Sequence, residues 1–228
     1  MNLRLLQISD SALPIGGYTH SWGLEAAIAS GLVDDAASLE GWVRDWMTHA
    51  LGPLEGVVVA AACRSTARDD WPAVTLANTI LTSSLAPPSI RTASREMGEQ
   101  LLALASTWAW SREGIGRFEA AVPDGRDRRR WNHAAVFGML GAIAGGSPRE
   151  TLLAYLHQAA IGLIGAGVRA IPVGHTHGQQ ILAYLHEAIA DLAGGLAERP
   201  LETAGAGCPF YEVLCDEQTR LYARLFRS

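Results

Sequence analysis

Apolar residues recur along this chain at intervals of three and four, and strand-like alternation barely occurs. Leu39, Trp42, Val43, Trp46, Met47 and Leu51 stand at offsets 0, 3, 4, 7, 8 and 12. That is the spacing of one helical face, and Ser38 is placed to cap it. A second apolar stretch runs from Leu54 to Cys63, and a third helix is expected over 71–85. "PPS" at 87–89 breaks the chain. Ser89 can cap a long helix reaching about Trp110, with Met97, Leu101, Leu104 and Trp108 as its inner stripe. The segment "SREGIGRFEAAVPDGRDRRRW" mixes glycine, proline and charge and reads as a loop.

A helix over about 131–144 follows. Ser147, Pro148 and Glu150 then form a strong start signal: a cap, a proline in the first turn and a capping-box glutamate. The helix they open carries Leu152, Leu153, Leu156, Ala160, Leu163 and Ile164 and stops before "AIPVG", because the residue ahead of a proline disfavours helix. Thr176 with Gln179 predicts another capping box, opening a helix that presents Ile181, Leu182, Leu185, Ile189 and Leu192 and closes at the glycine pair 194–195. The final stretch begins with "ETAGAGCP", which reads as flexible, and ends in "LYARLFRS". The expected architecture is all-α: a single globular helical domain of about eight to ten helices over 1–200, and a C-terminal docking arm over 201–228.

Composition narrows the chemistry. Of the 228 residues 49% are hydrophobic and only 18% charged, below the usual quarter. The chain therefore has a deep core or keeps apolar surface for partners. A net charge of −5 gives no global attraction to nucleic acid or anionic membrane. All 18 basic residues are arginines. Without lysine there is no Walker A phosphate loop and no Schiff-base amine. Cys63, Cys208 and Cys215 are an odd, scattered set, which argues against a disulfide framework. The opening "MNLRLLQISD" has no signal-peptide core, and the longest fully apolar run is far short of a membrane span. The expectation is a soluble cytoplasmic protein.

Five segments are candidate sites. "SALPIGGYTHSWGLE" at 11–25 suggests a turn at Pro14, Gly16 and Gly17 that leads into a helix near Ser21 or Trp22. Backbone amides at such a start could bind an anion, but the pattern is not a nucleotide loop, and His20 next to Ser21 does not make a catalytic pair. "PVGHTHGQ" places His175 and His177 one residue apart, a weak metal-ligand spacing. His186, nine residues beyond His177, falls on the opposite side of a straight helix. Arg91, Arg95 and Gly98 lie at i, i+4 and i+7, one outward stripe where a partner's backbone and carboxylates could approach. "DGRDRRRW" at 124–131 reads as a self-paired, solvated patch. "LYARLFRS" combines Leu221, Tyr222, Leu225 and Phe226 with Arg220, Arg224 and Arg227, the residue types of interface hot spots.

Taken together, "LLQISDSALPIGGYTHSWGLE", "RTASREMGEQLL", "HAAVFG", "VRAIPVGHTHGQQIL" and "LYARLFRS" resemble, in content and order, the UreF family of urease accessory proteins. The resemblance spans nearly the whole chain. It implies an all-α fold that dimerises and a non-catalytic role in assembling the nickel centre of urease. The implied partners are the GTPase UreG, the accessory protein UreD (UreH in some organisms) and apo-urease; nickel is cargo of that complex and GTP binds the partner, with no cofactor held stably by this chain. The partner-binding positions carried over are Pro14, Gly16, Gly17, Tyr18, His20, Gly23, Glu25, Arg91, Arg95, Gly98, Arg169, Pro172, Gly174, Gln179, Tyr222, Arg224, Leu225, Phe226 and Arg227. The chain departs from the family's usual "PxGQTDGQ", reading "PVGHTHGQ", and has "CDEQTR" where an Arg-His pair often precedes the terminal motif. The two added histidines keep a second reading open, a nickel or zinc carrier or helical metalloenzyme using His175 and His177.

Overall fold

The computed structural model describes residues 2–122 and 130–228. Among them are eleven α-helices and no strand: α1 (Leu3–Ile8), α2 (Leu24–Ala29), α3 (Ala36–Asp45), α4 (Val57–Thr66), α5 (Trp71–Ser84), α6 (Pro88–Ala105), α7 (Arg112–Ala121), α8 (His133–Ile143), α9 (Pro148–Ala170), α10 (His175–Leu196) and α11 (Pro209–Gln218). The helical expectation holds. Most of the charged patch expected at 124–131 lies outside the described residues.

The core is built on α4 and α8. From Val57 to Cys63 and from His133 to Gly141 every residue is buried. Two such helices can cross closely only where one lacks a side chain. Gly138 provides that point: a Cβ there would overlap the Val59 carbonyl oxygen and stand 2.9 Å from the Ala62 Cβ. Gly98 of α6 does the same against the entry to α8, where an added Cβ would overlap the Trp131 carbonyl and lie 2.7 Å from the Asn132 carbonyl carbon. Asn132 is fixed there from the other side. Its backbone and side-chain amides both donate to Asn78 Oδ1, at 2.9 and 3.0 Å, and its side chain also donates to Thr82. Long α9 packs against both of these helices, and α10 packs against α9 and α3. α9 is 23 residues long and apolar enough to cross a membrane by length and composition, but half of its apolar window is buried inside the fold.

Several local expectations are corrected. Asp35, not Ser38, caps α3; Ser38 is its reciprocal partner three residues on. The helical rod does not stop between Leu51 and Leu54. It continues through a π-wound stretch, Trp46–Gly56, that accommodates Pro53. The wider turn tolerates the missing N–H and the ring, while Gly205 N–H donates to the Pro53 carbonyl at 3.0 Å. Pro87 rather than Ser89 precedes α6, which ends at Ala105 with Leu102 rather than Leu104 inside. The segment read as a loop contains α7, whose Gly114 lies against Ile143. The start of α9 has the predicted capping box, Ser147 with Glu150. By contrast, α10 starts at His175 after Gly174 with no side-chain cap, and it runs through Gly194 and Gly195. Its far end is closed by Arg64, whose guanidinium donates to the Ala197 and Arg199 carbonyls. α1 and α11 had no signal strong enough to read.

The α4–α8 crossing yields a direct test. Gly138→Ala places its methyl on backbone, which cannot rotate away, so chemical denaturation should show a loss of about 1–3 kcal/mol. Gly162→Ala, where nothing lies within 4 Å of the added carbon, should cost nothing.

Candidate functional site: the opening loop and the C-terminal segment

The residues at 11–25 and 219–228 meet, although about 200 positions separate them. The loop turns at Gly16, whose φ of +88° suits glycine, and passes through a 3₁₀ turn at Gly17–Thr19. Trp22 and Gly23 then both take positive φ, 53° and 82°. For tryptophan that conformation costs on the order of 1–2 kcal/mol. What the kink achieves is visible in the hydrogen bonds. Ser21 N–H and Trp22 N–H both donate to the Ser228 carbonyl, at 2.5 and 3.1 Å. The Ser21 hydroxyl reaches Gln218 Oε1 at 3.0 Å, and Arg227 N–H donates to the Thr19 carbonyl at 2.8 Å.

Glu25 holds the next turn. Its carboxylate is buried at 8% exposure and accepts Leu225 N–H at 2.5 Å and Phe226 N–H at 3.2 Å. Phe226 is thereby seated at 4% exposure. Arg169, near the end of α9, lies between two rings: its guanidinium carbon is 3.7 Å from the Tyr18 ring centre and 4.6 Å from that of Phe226. Its Nε donates to the Gly165 carbonyl at 3.0 Å, which fixes the plane. With Tyr18 largely exposed, cation–π contacts of this kind contribute about 0.5–1 kcal/mol. On the rim, Arg227 pairs with Glu96 of α6 at 3.0 Å.

His20 faces inward at 3% exposure, with Nδ1 and the Ser228 hydroxyl sharing a hydrogen bond of 2.7 Å. Burial, and then the nearby Arg227 cation, push its pKa down to about 4. His20, carried over from the family resemblance as a partner-binding position, is therefore not on the surface, because the folded C-terminal segment covers it. Gly23 is also internal; a Cβ there would stand 3.0 Å from Cys215 Sγ of α11. Gly98 is internal as well, and the outward stripe with Arg91 and Arg95 does not exist. Arg91 turns back to the Ala86 carbonyl, and Arg95 lines a separate cleft with Asn78, Thr82 and Trp131. Pro14, Tyr18, Pro172, Gly174, Gln179, Tyr222, Arg224, Leu225 and Arg227 are exposed. Tyr222 and Leu225 stand out as fully and 70% exposed large apolar side chains.

Beneath the loop lies a cavity of about 250 Å³. Sequence reasoning missed its polar wall: Glu55, Ser94, His133, and Tyr155 with Gln158 come from four helical segments that share no motif. Burial pushes the Glu55 carboxyl up to about 7, and a hydrogen bond with Tyr155 partly opposes this. Burial alone takes His133 down to about 4. Neither Ser94 Oγ nor His133 Nε2 has a hydrogen-bond partner among the described residues. His175 and His177 are exposed at the start of α10. Two residues apart on a helix they point roughly 200° apart and cannot converge on one ion. No group of three histidine, cysteine or acidic side chains arranged to hold a metal occurs among the described residues.

Comparison with known proteins decides the family. The UreF family model matches residues 33–186. The chain belongs to the UreF family. Relatives align end to end. The urease accessory protein UreF of Methylibium petroleiphilum is 33% identical over 232 residues, covering 99% of this chain and 93% of the relative. Those of Thermosynechococcus vestitus and of an Arthrobacter species are each 31% identical, covering 99% of this chain and 97% and 96% of the relatives. The family model stops short of both the opening loop and the C-terminal segment, so the paired site lies where the end-to-end relatives, not the model, extend.

Two measurements probe the closure. Phe226→Ala removes a buried ring and should lower stability by about 3–5 kcal/mol in denaturant unfolding. The His20 pKa is lower in the folded chain than the ordinary 6.5. The folded state therefore binds fewer protons than the unfolded one between about pH 6.5 and 4, and the stability His20 contributes is lost as pH falls through that window. Glu55, with its pKa raised, acts in the opposite sense between about 4.5 and 7. Comparison with His20→Gln isolates the histidine: the variant should lose less stability on acidification than the parent chain.

Proposed function

We propose that this chain is a non-catalytic scaffold in urease maturation: it joins a UreG-like GTPase and a UreD/UreH-like accessory protein on apo-urease, acts as a homodimer in the cytoplasm, and modulates GTP hydrolysis by the GTPase during nickel delivery. Nickel is the cargo of that assembly, and the nucleotide belongs to the partner. The observation that carries the reading is the end-to-end relationship to urease accessory proteins.

The surface supports it. Arg169, Tyr18 and Phe226 lock the C-terminal segment in place, so Tyr222, Arg224 and Leu225 are presented on a preorganised backbone. Preorganisation lowers the entropy cost of docking, and exposed tyrosine, arginine and leucine on a rigid base suit an interface centre. Deleting the segment outright would remove Phe226 and strip Glu25 and Arg169 of their contacts with it, so surface substitutions are the cleaner probe. Tyr222→Ala with Leu225→Ala should leave the circular dichroism and the melting temperature unchanged while reducing co-purification of the UreD-like protein at least tenfold. Unimpaired capture and urease activation by this variant would refute the assignment of the surface.

A further inference from the structure

We propose that His157 of α9 and His186 of α10 form a two-histidine site for a divalent transition-metal ion. The pair is remote in sequence and is brought together only by the packing of the two long helices. Their ring centres are 6.1 Å apart with planes inclined at 34°. Both line a groove of about 380 Å³ between α1, α9 and α10, together with Asn2, Ser9 and Glu150.

Several observations converge on a shared cation. Neither imidazole makes a hydrogen bond to any described residue, so the ring nitrogens are free to serve as ligands. His186 is exposed and His157 half-buried, so an ion can enter from solvent and be partly shielded once bound. Two like imidazoles side by side disfavour double protonation. Metal–nitrogen bonds of about 2.0–2.1 Å at a tetrahedral angle put ring centres roughly 5 Å apart. Side-chain rotation of about 1 Å closes the difference, and no hydrogen bond resists it. Water fills the remaining positions in the open groove. The Glu150 carboxylate is already engaged in capping α9 through Ser147, so the first shell is nitrogen-based. Such a shell selects borderline ions of the zinc, nickel and copper class over calcium or magnesium. This contrasts with His175 and His177, which diverge on one helix. The inference rests on the α9–α10 geometry and is independent of the scaffold reading.

The test is isothermal titration of the full chain with ZnCl2, NiCl2 and MgCl2 at neutral pH. The expected result is one zinc or nickel ion per chain and no heat from magnesium. His186→Ala should weaken binding at least tenfold, and His157→Gln likewise, with helix content checked by circular dichroism. The double variant His175→Ala/His177→Ala should bind as the parent does. His186 is exposed, so its variant carries the test if His157→Gln does not fold. Absence of zinc and nickel binding to the parent chain, unchanged affinity in His186→Ala, or loss of binding in the His175/His177 variant would each overturn the proposal.

Discussion

A carboxylate inside a protein has to be answered, and Glu25 is answered by two backbone amides from the other end of the chain. A buried, unpaired charge costs several kcal/mol. The fold of the opening loop and that of the C-terminal segment are therefore conditions of each other. The left-handed kink at Trp22 and Gly23 aims two further amides at Ser228, and Arg169 fills the space between Tyr18 and Phe226. None of these contacts is strong alone. Jointly they turn two segments with little helical periodicity into one surface.

Much of the fold was legible in the sequence because long amphipathic or capped helices announce themselves. The α9 start is the clearest case: Ser147, Pro148 and Glu150 form a local code whose answer needs no tertiary information. Failures occurred where packing overrode local preference. Gly194 and Gly195 suggested a helix end, but Arg64 supplies acceptors' partners beyond them and the helix continues. Gly114 and Gly116 suggested a loop, yet Gly114 is the small residue that lets α7 approach Ile143. Gly98 suggested an outer face for the same reason. A glycine signals close approach but does not say to what.

The site was half legible. The density of special residues at 11–25 and the aromatic–arginine composition at 219–228 marked both segments, and the family resemblance joined them to one role. That they bind each other was invisible, since nothing in either segment encodes a partner 200 residues away. The same limit hid the cavity wall of Glu55, His133 and Tyr155, and the pairing of His157 with His186. Apart from Tyr155 and His157, both of α9, those residues come from separate helical segments, and only the packing of helices brings each to its partner.

The π-wound stretch from Trp46 to Gly56 has a consequence for the chain's evolution. A helix residue turns about 100°, so winding a rod more loosely for two turns changes the azimuth of everything downstream. α3 shows solvent one side and α4 is buried except at Arg64, and the rod can serve both settings because its phase is reset between them. A change in the number of residues there would alter that phase and rotate Val59 away from Gly138. Length variation among descendants of this sequence should therefore be purged from this stretch more strictly than amino-acid identity is.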